Sequence, residues 1–187
     1  MKKLFVLLLA LSLPFAVMAK DDGDGTAVRP SVIHGDTRIH YMGSVNGGMA
    51  FLGFYLHTSH GAVFPKENLY AGVGLDYNWL YGGNYIDVTA HGKWFYPWRG
   101  RVQGYIGLQA GVGVILPGYT HPEPDVSDYY PASAAFVVTP GLGFVINFGK
   151  VSLDIGAKCR FSPDITMGTG TGYVWAPIAA LGIGLIF

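Results

Sequence analysis

The stretch VQGYIGLQAGVGVIL, residues 102–116, decides how the rest of the chain is read. Its even-numbered phase is Val102, Gly104, Ile106, Leu108, Ala110, Val112, Val114 and Leu116, wholly apolar or glycine. The odd phase is Gln103, Tyr105, Gly107, Gln109, Gly111, Gly113 and Ile115, and it holds both glutamines. Successive side chains of a strand point to opposite faces, so alternation over this length predicts one long strand with an apolar and a polar side. A membrane helix is the rival, because 102–122 and 129–149 each run uncharged for about 20 residues. The frequent glycines, with Pro117 and Pro140 inside these runs, count against a helix.

The same period recurs along the chain. Residues 69–81 put Leu69, Ala71, Val73, Leu75, Tyr77, Trp79 and Tyr81 on one side, with Asp76 and Asn78 on the other. In 85–96 the apolar phase carries Ile86, Val88, Trp94 and Tyr96, and the opposite phase Asp87, Thr89, His91 and Lys93. In 151–161 Leu153, Ile155, Ala157, Cys159 and Phe161 alternate with Asp154, Lys158 and Arg160. Residues 134–148 and 175–187 complete six clear strands. Two weaker ones are expected over 38–45 and 49–64.

One phase carries the strand charge and much of the glycine. The other carries bulky aliphatics and aromatics. A soluble barrel or sandwich would bury the bulky phase and expose the charged one. A narrow barrel with small and polar residues inside and bulky ones facing lipid fits better. The expected fold is all-β, an eight-stranded antiparallel up-and-down transmembrane β-barrel, since spanning strands need ~9–11 residues. Face assignment is stiff. A one-residue slip of 151–161 would turn Asp154, Lys158 and Arg160 into lipid, and two basic residues at the midplane cost at least ~4 kcal/mol.

Composition agrees. Charged residues make up 13% of the 187, about half the ~25% of a soluble domain. Twelve basic residues balance twelve acidic ones, which leaves no basic excess for nucleic acid. With 50% hydrophobic residues the chain is not disordered, and its one cysteine forms no internal disulfide.

Residues 1–19 read as a secretory signal peptide: Lys2 and Lys3, an apolar run, then Val17-Met18-Ala19 before the expected cut. Residues 20–37 are expected to form an N-terminal periplasmic segment, and 38–187 the outer-membrane barrel domain. Short links at 65–68, 97–100 and 149–150, against longer ones at 117–133 and 162–173, put the termini inside and the long loops outside. Trp79, Tyr81, Tyr85 and Trp175 are expected in the outer aromatic girdle, and Trp94, Tyr96, Trp98, Phe148 and Phe187 in the periplasmic one.

Leu181, Ile183, Leu185 and Phe187 alternate up to a C-terminal aromatic. This resembles the assembly signal of outer-membrane barrels. Here the chain resembles the OmpA/OmpX-type family of small eight-stranded barrels. Residues His60 to Phe64 and Leu69 to Gly74 look like the small barrel proteins of Bacteroidetes-like bacteria. The resemblance covers roughly 38–187. It implies an outer-membrane location, contact with lipid, lipopolysaccharide and the barrel assembly machinery, and a monomer. It leaves activity open. The peptidoglycan-binding half of longer OmpA-type proteins is not expected here.

The inward set is Asp76, Asp87, His91, Lys93, Asp154, Lys158 and Arg160, with Arg38 and His40 as possible additions. Eight strands make a lumen that side chains can fill, and buried charges persist only when paired. A plugged, salt-bridged interior with a structural or surface-interaction role is the first reading. A narrow ion-conducting pore through the same charges is the alternative. A third reading is a lipid A-modifying hydrolase or acyltransferase using His57 and Ser59, which share a strand face, with Glu67 as the nearest acid. The loop 117–133, with Tyr119, His121, Glu123, Asp125 and Asp128, is a candidate for an extracellular ligand. No phosphate loop, dinucleotide fingerprint or zinc spacing occurs, so no cofactor and no metal are expected. Cys159 falls on the lipid phase as a small apolar residue.

Overall fold

The computed structural model describes residues 38–51, 53–80, 83–96, 101–119, 129–130, 132–148, 150–162 and 176–187. Among them the regular structure is all strand. In chain order the strands are β1 (His40–Ala50), β2 (Gly53–Phe64), β3 (Leu69–Leu80), β4 (Gly83–Tyr96), β5 (Val102–Ile115), β6 (Gly118–Tyr119), β7 (Tyr129–Tyr130), β8 (Ser133–Asn147), β9 (Ser152–Ser162) and β10 (Ala176–Ile186). Eight of them close into a barrel in the order β1-β10-β9-β8-β5-β4-β3-β2, every pairing antiparallel. The closure joins first strand to last. Gly43 and Phe187 exchange both backbone hydrogen bonds, at 2.8 and 2.9 Å. A closed barrel has no edge strand, so no row of backbone donors is left for another chain to pair with.

The first two strands differ from expectation. β1 continues to Ala50 and β2 begins at Gly53, so Asn46-Gly47-Gly48 is not a link. Asn46 instead pairs with His57 on one side and Gly184 on the other. Gly48 is needed where β10 comes close: a Cβ there would lie 2.5 Å from the Gly182 Cα.

The start of β1, the end of β10 and the strand ends flanking 65–68, 97–101 and 148–151 lie at one rim, termed the terminal end. At that rim Asn68 takes a left-handed φ of 64°, which asparagine tolerates, and its N–H donates to the Phe64 carbonyl at 2.8 Å. At the opposite rim, the loop end, are the strand ends that flank 51–52, 81–82, 116–132 and 163–175. The alternation of short and long links therefore holds only in the second half of the chain. In the first half both loop-end links are two residues long. Within the longer 116–132 link, β6 and β7 pair as a small ladder.

The strand phases sort the side chains. Val73 is 63% exposed, Ile106 59%, Leu142 58% and Leu181 69%, and the outward phases of all eight strands are similarly apolar. Ser44, His57, Asp76, Asp87, Lys93, Gln103, Asp154 and Arg160 are buried inside. Tyr85 corrects the girdle assignment. It shares the phase of Asp87, points inward and is 8% exposed. Trp79, Trp94, Tyr96 and Phe148 do stand outward and exposed, whereas Tyr81, Trp98 and Trp175 lie outside the described residues.

One ladder has a gap. β8 and β9 pair from Asn147↔Ser152 to Gly141↔Lys158, skip two positions, and resume at Val138↔Phe161. Pro140 is the cause. The Asn147 N–H points to β5, where it donates to the Arg101 carbonyl at 2.8 Å, so the even-numbered positions of β8 point to β9. Proline has no N–H to give there.

Candidate functional site

The lumen is layered. Toward the terminal end Met42, Val63, Tyr70, Phe95, Val145 and Ile186 form a fully buried apolar cluster, with Tyr105 packed against it. Toward the loop end Leu80, Tyr85, Ile115 and Ile178 form a second, backed by Ala50. Both clusters come from inward positions on several strands. The charges lie between them.

β9 organises the middle layer. Its inward Asp154, Lys158 and Arg160 reach across the lumen to the β3–β4 hairpin. Lys93 Nζ donates to Asp154 Oδ2 at 2.8 Å, and the Tyr105 hydroxyl donates to Asp154 Oδ1 at 2.7 Å. Lys158 Nζ donates to Asp76 Oδ1 at 2.5 Å and lies 3.8 Å from the Tyr55 ring centroid. Arg160 grips Asp87 with two parallel bonds, Nε to Oδ2 at 2.8 Å and Nη2 to Oδ1 at 2.9 Å. Asn78 Nδ2 donates to Asp87 Oδ2 at 3.0 Å. Three carboxylates thus meet three cations with no net charge, the condition under which buried ions are tolerated. Gly113 makes room for the Arg160–Asp87 pair: a Cβ there would lie 2.9 Å from Arg160 Nη2 and 2.7 Å from Val137 Cγ2.

Two histidines sit in this layer. His57 Nδ1 lies 3.0 Å from Asp76 Oδ2, within ion-pair range but not aligned as a hydrogen bond. His91 stands edge-on to His57, ring centroids 5.2 Å apart, and edge-on to Tyr70 at 5.5 Å. His57 Nε2 and His91 Nδ1 find no hydrogen-bond partner among the described residues. Next to them is a cavity of about 40 Å³ lined by Asn46, Tyr55, Lys93, Tyr105, Gln109, Thr139 and Asp154, among others. Most of the side chains that line it are polar, and its size suits two or three waters.

All seven residues expected in the lumen network occupy this one layer. Arg38 and His40 do not join it. His40 is at the terminal rim, with its Nδ1 against the Arg38 carbonyl at 3.1 Å. His57 and Ser59 do share a face, but that face is the lumen. Ser59 is fully buried and its hydroxyl meets Ser44 Oγ at 2.7 Å. The acid beside His57 is Asp76, its register partner on β3, while Glu67 lies in the terminal-end turn. Neither residue faces the outer wall, where a lipid would lie. Most of the candidate ligand loop, including His121, Glu123, Asp125 and Asp128, lies outside the described residues.

Sequence reasoning missed Tyr55, Tyr105 and Asn78, which complete the charge layer. It also missed a polar floor in which Asn147 bridges Gln103 and Ser152 at 3.1 and 2.7 Å. All are polar residues on inward phases, and that phase was the available signal.

No family model matches the sequence, and no curated protein is similar to it. In fold, the chain is similar to the crystal structure of Neisserial surface protein A, with a TM-score of 0.55 and 12% identity over 79% of this chain and 95% of that one. A weaker likeness, TM-score 0.45 and 14% identity over 78% of this chain and 98% of that one, is to the outer membrane enzyme PagL. At these identities the likeness concerns the barrel alone.

Proposed function

We propose that this protein is an exported integral outer-membrane barrel of the small OmpA/OmpX-like kind, with a structural or surface-interaction role and a plugged lumen. The observation that carries the reading is the outer wall, a predominantly apolar surface on all eight strands. Soluble monomers rarely expose apolar patches larger than a few hundred Å², and such a wall in water would drive aggregation. Strands of 11 to 15 residues, tilted ~40°, rise ~28–38 Å, enough to cover the ~25 Å apolar band of such barrels. Residues 1–19 serve as the cleaved export signal and 20–37 stay in the periplasm. The terminal end faces the periplasm, and the loop 117–133 faces outward to any ligand.

The two apolar clusters favour the plugged lumen over the pore, because an ion crossing the bore would have to displace Phe95 and Tyr70 at one end and Leu80 and Tyr85 at the other. The lumenal placement of His57 and Ser59 removes the support for lipid A chemistry by that pair. The test is refolding into lipid vesicles, with slower or faster gel migration of the unboiled form as the sign of a folded barrel, followed by planar-bilayer recording. The expected result is a folded, silent barrel that behaves as a monomer. Reproducible conductance steps that change when Asp87 or Lys158 is neutralised would replace this reading with the pore.

A further inference from the structure

The cavity in the charge layer holds polar groups that the ion pairs leave unused. Asn46, His91, Lys93, Gln109, Thr139 and Lys158 all line it. His91, Lys93 and Thr139 are 5% exposed and Gln109 7%, so these groups are shut off from bulk water. His91 Nδ1 has no hydrogen-bond partner. Its Nε2 is on the cavity side: Gly107 also lines the cavity, and a Cβ there would lie 3.9 Å from that nitrogen. Buried polar groups of this kind call for a partner.

Donors outnumber acceptors around this space. Asp154 is the one carboxylate on the cavity wall, and both its oxygens already accept, from Lys93 and from the Tyr105 hydroxyl. An ammonium has three hydrogens. Lys93 directs one to Asp154 and Lys158 one to Asp76. Asn46 Oδ1 accepts from the Tyr55 hydroxyl at 2.8 Å, so Asn46 has its NH2 to offer. The Gln109 amide and the Thr139 hydroxyl take part in none of the hydrogen bonds of the charge layer. A donor-rich pocket suits an anion, and about 40 Å³ limits it to the size of a halide.

The three carboxylates and three cations of the layer are already balanced, so an anion alone leaves a buried charge unmatched. A proton has to accompany it. The titratable groups around His91 are His57 and Tyr55 from β2, Tyr70 and Asp76 from β3, Lys93 on β4, Tyr105 from β5, and Asp154 and Lys158 from β9. Both carboxylates among them already hold a lysine, at 2.8 and 2.5 Å. A charged His91 therefore has no carboxylate of its own, and the anion is its counter-ion. We propose that the cavity binds one halide ion together with a proton on His91. The site depends on the closed barrel and its charge layer, not on what the outer wall meets. The rival is a cavity that takes water alone.

The experiment is anomalous scattering from crystals of the full chain grown in sodium bromide, at about pH 5.5 and about pH 8, either side of the usual histidine range. One bromide should occupy the cavity at the lower pH. Its apparent affinity should fall up to about tenfold per pH unit above the histidine's titration, because one proton is taken up with it. In urea unfolding at equal ionic strength, chloride should raise the folding constant about tenfold over gluconate, which is too large for the cavity, once chloride is ten times its Kd. His91→Gln and Gln109→Leu should abolish that difference. Water alone in the cavity at both pH values, or equal stability of wild type in chloride and gluconate at the lower pH, overturns the site. Equal bromide occupancy at both pH values, or in His91→Gln, overturns the proton on His91. If a variant fails to refold, the wild-type comparison of the two salts still decides the site.

Discussion

Arg160 and Asp87 meet through two parallel hydrogen bonds, 2.8 and 2.9 Å, that cross the lumen from β9 to β4. Planar bidentate pairs of this kind are the strongest charged contacts proteins make, and both partners here are buried. Asp87→Ala strands a guanidinium in the interior and removes the acceptor of Asn78. The expected loss is ~3–5 kcal/mol. Chemical unfolding of the refolded barrel, followed by tryptophan fluorescence, measures it.

The Lys93–Asp154 pair allows a cycle. Asp154→Leu alone should destabilise by a similar ~3–5 kcal/mol, because Lys93 keeps its charge and loses its partner. Lys93→Met with Asp154→Leu removes both ions. The double variant should recover most of the loss, with a residual of ~1 kcal/mol from the Tyr105 hydroxyl, which loses its acceptor. If the double variant is as unstable as the single one, the pair is not the source of the effect.

Leu108 stands outward at the middle of β5 and is 53% exposed. In a lipid-embedded barrel Leu108→Arg places a cation at the bilayer midplane and should cost ~2–4 kcal/mol. In a barrel that lives in water the same change would be close to neutral. Equilibrium folding into vesicles separates the two.

Pro140→Val should stabilise. Valine suits the outward wall and supplies the N–H that β8 fails to offer β9 at the ladder gap. One recovered hydrogen bond is worth ~0.5–1.5 kcal/mol. Amide exchange at positions 139 to 141 and 158 to 160 should slow in the variant.

The sequence made the strands legible because inward and outward environments select different chemistry at every second residue. The 154, 158, 160 spacing of charges on one phase was visible at once. Their partners were not, since contacts separated by 61 to 82 residues depend on how the ring closes and how far each strand is staggered. Tyr85 was misassigned by residue type, when its two-residue offset from Asp87 already placed it inside. The segment His57-Thr58-Ser59-His60 shows the other limit. A pair on either phase reads as histidine near hydroxyl, and only the β1–β2 register decides that Thr58 and His60 take the outward phase. That register was obscured because Asn46-Gly47-Gly48 separated the two expected strands.

The crossing of β9 to the β3–β4 hairpin bears on how the barrel is made. That hairpin carries Asp76, Asp87 and Lys93, a surplus of one negative charge, while β9 carries Asp154, Lys158 and Arg160, a surplus of one positive. A partial sheet entering the bilayer without β9 would hold unmatched ions at membrane depth. Neutrality arrives only when a strand near the end of the chain meets one near its middle. Insertion and ring closure are thereby bound into one cooperative event, and half-formed barrels are left without a resting place in the membrane.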